Sequence, residues 1–99
     1  MYCEDCLKII LQKLNSNDIV ILEFLANENA TIPQCSLSWT SICEKITEVE
    51  NMSSNNVYTS LKRLNIFGFV ETQKWTRKNK YYITTDGINI LSLVQNNLN

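Results

Sequence analysis

Cysteines and cations are the residues here with chemistry to offer, because the chain has four cysteines and no histidine. Cys3 and Cys6 form a CxxC pair, whereas Cys35 and Cys43 stand further apart. A four-cysteine zinc centre needs two close pairs and the second is missing, so no metal site is expected. A thioredoxin-type CxxC follows a strand, and too little chain precedes Cys3 to make one. Cys43 falls on the apolar side of a helical pattern and reads as a small core residue. For Cys3 and Cys6, free thiols and a mutual disulfide both stay open. Disulfides inside a cell point to a hyperthermophilic host, while the abundance of asparagine points away from one. Catalysis is not expected, and neither is a cofactor. Gly68 and Gly87 make no phosphate-binding pattern, and no two carboxylates stand at a spacing suited to acid–base work.

The cations are unevenly placed. Net charge is only −1, yet Lys62, Arg63, Lys74, Arg77, Lys78 and Lys80 lie within one short stretch. Glu71 alone opposes them, so residues 62–80 carry about +5 and the rest about −6. A basic segment in an acidic chain is the electrostatic footprint of a nucleic-acid binder, although a charge run by itself is more often a solvated face.

Positioning these groups requires a core, and 99 residues with 44% hydrophobic content can build a single thin one. No apolar run approaches the ~20 residues of a membrane span, and Met1 to Lys8 lack a basic leader, so a cytoplasmic protein is expected. Leu7, Ile10, Leu11 and Leu14 recur at helical spacing and predict a helix over 4–14. A second helix is expected over 18–26, capped by Ser16 or Asn17. Leu37 suits a very short strand, after which Ser38 caps a helix over 39–48. Ser53 or Ser54 caps another over 55–64, with Val57, Leu61 and Leu64 inward, and Gly68 suits the positive φ of its end. Residues 69–75 and 80–84 read as strands of a hairpin with its tip at 76–79. Thr85 caps a last helix over 86–98, where Gly87, Leu91, Val94 and Leu98 form a stripe and Ile88, Ile90 and Leu93 add apolar surface. So small a chain has little core to cover that stripe, so a partner helix is its natural cover.

The block 55–91 is the most informative. Val57-Tyr58-Thr59-Ser60-Leu61-Lys62-Arg63-Leu64 followed by Gly68-Phe69-Val70-Glu71, and then Lys80-Tyr81-Tyr82-Ile83-Thr84-Thr85-Asp86-Gly87, resemble the winged helix-turn-helix transcription regulators, PadR-like and MarR-like families above all. The likeness covers about the last two-fifths of the chain by motif, and 18–52 by pattern only. It implies an α+β, mainly α domain over 1–99, with a winged-helix core at 18–84, a recognition helix at about 54–64 and a wing at 74–80. It also implies that the terminal helices, 1–14 and 85–99, form a homodimer interface, for which Leu7, Ile10, Leu11, Leu91, Val94 and Leu98 are the candidates. A symmetry mate would make an inter-subunit disulfide near Met1 a third state of the cysteines. The wing tip departs from the family, which often has glycine where this chain has Thr76-Arg77-Lys78-Asn79.

A helix of this length fits the major groove of double-stranded DNA. Its outer side offers Asn55 and Asn56, which can pair with adenine, and Tyr58 and Thr59, which reach bases or phosphates. Lys62 and Arg63 suit the backbone, and Ser54 at the helix start suits a phosphate. Arg77 and Lys78 at the wing tip, backed by Lys74 and Lys80, suit the minor groove or its flanks. Structural work competes for several of these: Tyr58 and Trp75 as packing residues, Asn55 and Asn56 as first-turn residues, Arg63 as partner of an acid such as Glu44 or Glu48. Two other functions stay in view, a winged-helix module that binds protein and a regulator whose cysteines respond to redox state. Operator, sign of regulation and any small-molecule effector are not legible.

Overall fold

A computed structural model describes residues 3–49, 52–74 and 79–97 of the chain. Its elements are α1 (Glu4–Leu11), α2 (Ser16–Asn27), a 3₁₀ turn (Pro33–Cys35), β1 (Leu37–Ser38), α3 (Trp39–Val49), α4 (Ser54–Phe67), β2 (Val70–Lys74), β3 (Asn79–Ile83) and α5 (Thr85–Asn97). The fold is mainly helical α+β, a winged helix-turn-helix with an extra helix at each end. No helix among the described residues is long and apolar enough to cross a membrane.

Caps set the helix boundaries, and several differ from expectation: α4, for one, runs to Phe67 rather than Leu64. α1 ends at Leu11 rather than Leu14, since Asn15 is taken up in starting the next helix. Asn15, and not Ser16 or Asn17, caps α2: its side chain accepts the Asp18 N–H at 3.0 Å while Asp18 accepts the Asn15 N–H at 3.2 Å. This reciprocal box satisfies two donors that the helix itself leaves unpaired. At the far end of α2, Asn29 takes a left-handed φ of 59°, and the Ala30 N–H closes back to the Leu25 carbonyl at 2.9 Å. Thr84, one residue before the expected Thr85, caps α5 by accepting the Gly87 N–H at 3.1 Å. Ser38 caps α3 as expected, accepting the Ser41 N–H at 3.3 Å.

The sheet is antiparallel in the order β1-β3-β2, with Leu37 opposite Tyr81 and Val70 opposite Ile83. It is tied to the segments that follow α2 and α4, by Ile83 N–H to the Ala30 carbonyl at 2.7 Å and Thr84 N–H to the Phe69 carbonyl at 2.9 Å. Ile21, Leu22 and Leu25 of α2, Leu61 and Leu64 of α4, Phe69, Ile83 and Ile90 form a fully buried core between these layers.

Gly68 ends α4 at φ 83°, where a side chain would be strained. Gly87 serves differently. A Cβ there would run into the Phe69 carbonyl oxygen and sit 2.6 Å from Ile83 Cγ1, so α5 approaches the hairpin base more closely than alanine allows. Part of the stripe expected to await a partner is therefore covered within the chain. Gly87 abuts the hairpin, Ile90 is fully buried and Leu91 is 6% exposed, because α5 packs across α1 and α2.

Candidate nucleic-acid interface

α4 presents the candidate groups, and its start is fixed by one hydroxyl. Ser53 is extended and accepts the Asn56 N–H at 3.3 Å, so Ser53 is the cap and Ser54 the first helical residue. The Ser54 hydroxyl in turn accepts the Cys43 thiol of α3 at 3.3 Å. Cys43 is thus half-buried and bound to a polar partner at the mouth of α4, where the sequence suggested a plain core residue. N–H groups in the first turn of a helix have no acceptor inside it, which makes this end attractive to an anion.

Helical periodicity divides α4 into two faces. Val57, Ser60, Leu61 and Leu64 are buried, while Ser54, Asn55, Asn56, Tyr58, Thr59 and Lys62 are exposed. Tyr58 is 55% exposed and leans edge-on against Trp39, with ring centroids 5.8 Å apart. It is braced by α3 yet open to solvent, so packing and contact are compatible in it. The Thr59 hydroxyl donates to the Asn55 carbonyl at 2.9 Å, which leaves its own acceptor sites free.

Arg63 is placed differently from the expected phosphate contact. Its Nη1 lies 2.9 Å from both carboxylate oxygens of Asp18, a side chain with no exposed surface. A buried carboxylate without a partner is costly, so this guanidinium is committed to α2. The acid is neither Glu44 nor Glu48. Lys62 and Lys80 are both exposed, and among the described residues neither forms an ion pair.

The hairpin follows α4 directly. Asn65 Nδ2 donates to Thr72 Oγ1 at 2.6 Å, tying the end of the helix to β2. Between them lies a cleft of about 390 Å3 bordered by Tyr58, Lys62, Asn65 and Ile66, the last 75% exposed. Lys74 pairs through its backbone with Asn79, and Lys80 stands opposite Gln73. Trp75, Arg77 and Lys78 lie outside the described residues, as does the side chain of Lys74. A larger cleft of about 480 Å3 between α2 and α3 is unsuited to a polyanion, since Glu23, Glu28 and Glu48 rim it against Lys45 alone.

The candidate dimer residues divide as well. Leu7 and Leu91 are buried in the chain's own core and keep little surface, 4% and 6% exposed. Ile10, Leu11 and Val94 are half-buried, and Leu98 lies outside the described residues. Ile9 on α1, 59% exposed, had not been singled out, because it falls beside the helical stripe that the core uses. Ile88 on α5 is 39% exposed.

No family model and no curated protein matches the chain. Solved structures do. TubR from Bacillus megaterium pBM400 superposes with a TM-score of 0.81 at 22% identity, covering 92% of this chain and 97% of that one. RosR of H. salinarum gives 0.69 at 20% identity over 84% of this chain and 72% of its own. F-93 of SSV1 gives 0.57 at 18% identity over 84% and 89%. At these identities the likeness concerns the fold.

Proposed function

We propose that the chain is a double-stranded DNA-binding transcription regulator of the PadR-like or MarR-like kind, acting as a homodimer and catalysing no reaction. The observation that carries this reading is the exposed face of α4. Asn55, Asn56, Tyr58, Thr59 and Lys62 project from a helix whose start is capped and whose other side is anchored in the core. A rigid helix with amides, hydroxyls and a free cation on one side has the means to read base edges and hold phosphates. Ser54 at its start suits a phosphate, exposed Lys80 adds a cation on β3, and by their sequence positions Lys74, Arg77 and Lys78 are further candidates for the same contact. Arg63, whose Nη1 is held by Asp18, has less to offer a phosphate than Lys62.

The dimer rests on α1 and α5, through Ile9, Ile10, Leu11, Ile88 and Val94 in place of the buried Leu7 and Leu91. Two-fold symmetry then sets two α4 helices about one DNA turn apart, ~34 Å. Selection from a pool of random duplexes tests this. Enrichment of a pseudo-palindromic site with half-sites about one turn apart supports the reading, whereas retention of no sequence over background turns it towards a protein-binding module.

A further inference from the structure

Cys3 and Cys6 take no part in the proposed interface, yet among the described residues they are two exposed thiols in direct contact. Both are exposed free thiols, and their Sγ atoms lie 3.0 Å apart on the first turn of α1. Cys3 is the cap of that helix, and its sulfur accepts the Cys6 N–H at 3.4 Å. Cys35 has no such neighbour among the described residues, and Cys43 is bound to Ser54. No third ligand of the cysteine, histidine or carboxylate type joins the pair among the described residues, so the two sulfurs are disposed towards each other rather than a tetrahedral cation.

The two thiols are also unequal. The Cys6 S–H, followed by the Cys6 N–H, stabilises the Cys3 thiolate and lowers its pKa; desolvation opposes them, and Asp5 adds a weaker stabilising N–H and a still weaker opposing charge. Cys6, losing that hydrogen bond and facing the Cys3 charge, is raised. An exposed low-pKa thiol beside a second thiol is the arrangement of an attacking and a resolving cysteine.

We propose that Cys3 and Cys6 form a reversible dithiol–disulfide couple, in which Cys3 attacks a small-molecule disulfide and Cys6 resolves the product. In the first step the Cys3 thiolate displaces one thiolate from the small disulfide, leaving a mixed disulfide on Cys3. Cys6 then gives up its proton and attacks Cys3 Sγ, expelling the second small thiolate. The two protein thiols are oxidised to one disulfide, and one small disulfide is reduced to two thiols. The couple is independent of DNA binding and stands or falls separately.

The test equilibrates the full chain with mixtures of reduced and oxidised glutathione, followed by alkylation of remaining thiols and peptide mass mapping. The expected result is concerted loss of both thiols in a peptide joining Cys3 to Cys6, reversed by dithiothreitol. Cys6→Ser should halt at a mixed disulfide with glutathione on Cys3, and Cys3→Ser should take up glutathione more slowly at Cys6. Persistence of both thiols in the most oxidising mixture, a bond from either to Cys35, Cys43 or a second chain, or preferential glutathione uptake by Cys6 would overturn the assignment.

Discussion

Neighbouring cations, Lys62 and Arg63, have opposite fates, and the difference lies 45 positions back along the chain at Asp18. Lys62 is exposed and uncommitted, so Lys62→Ala should weaken DNA binding at all sequences alike and lower the salt slope of the affinity by about one. Arg63→Ala should act on stability instead. It strands a fully buried carboxylate, with an expected loss of about 3 kcal/mol in urea unfolding. The order of the two effects is the informative part: a stable Lys62→Ala protein that binds weakly, and an Arg63→Ala protein whose first defect is in folding. Composition and spacing marked both residues as candidates for the same job. Which of them was free could not be read from the sequence, because the answer depends on packing α2 against α4. Tyr58 was ambiguous for a similar reason, and Trp39 resolves it by bracing the ring while leaving it half exposed.

At the scale of elements, helix periodicity and glycine placement were legible, and cap identity was less so. The chain offers Asn15, Ser16 and Asn17 in a row, then Ser53 beside Ser54, then Thr84 beside Thr85. Each is a competent cap, and the choice falls to whichever position lets the preceding chain reach it. The apolar buried positions of α4 were legible, since Val57, Leu61 and Leu64 recur among polar residues at helical spacing, whereas buried Ser60 gave no such signal. Gly68 was expected at its end for its positive φ. Gly87 was read as part of a stripe and of a family-like motif, although its role is to let α5 meet the Phe69 carbonyl. Gly87→Ala should therefore destabilise by about 2 kcal/mol through overpacking. Gly68→Ala, where nothing crowds the site, should cost about 1 kcal/mol from backbone strain alone. Thermal unfolding of the two variants side by side checks the ranking.

The whole molecule distributes charge and apolar surface to different ends of its purpose. Acidic Glu23, Glu28 and Glu48 rim the cleft between α2 and α3, while Lys62 of α4 and Lys80 of β3 are exposed and form no ion pair among the described residues. The apolar surface of α1 and α5 is smaller than the sequence suggested, since one small core absorbs Leu7, Ile90 and Leu91. What is left, Ile9 and Ile88 with half-buried neighbours, suits a modest symmetric contact. Ile9→Asp should therefore shift sedimentation towards monomer without altering the helical circular dichroism, and should reduce affinity for a two-half-site duplex. The most direct test of DNA binding itself is a fluorescence anisotropy titration of labelled duplex at several salt concentrations, comparing the native chain with Arg77→Ala/Lys78→Ala. A DNA-binding winged helix binds at low salt, loses affinity steeply as salt rises, and in the double variant shows a slope shallower by about two. Absence of binding by the native chain at the lowest salt, with thiols reduced or oxidised, would contradict it.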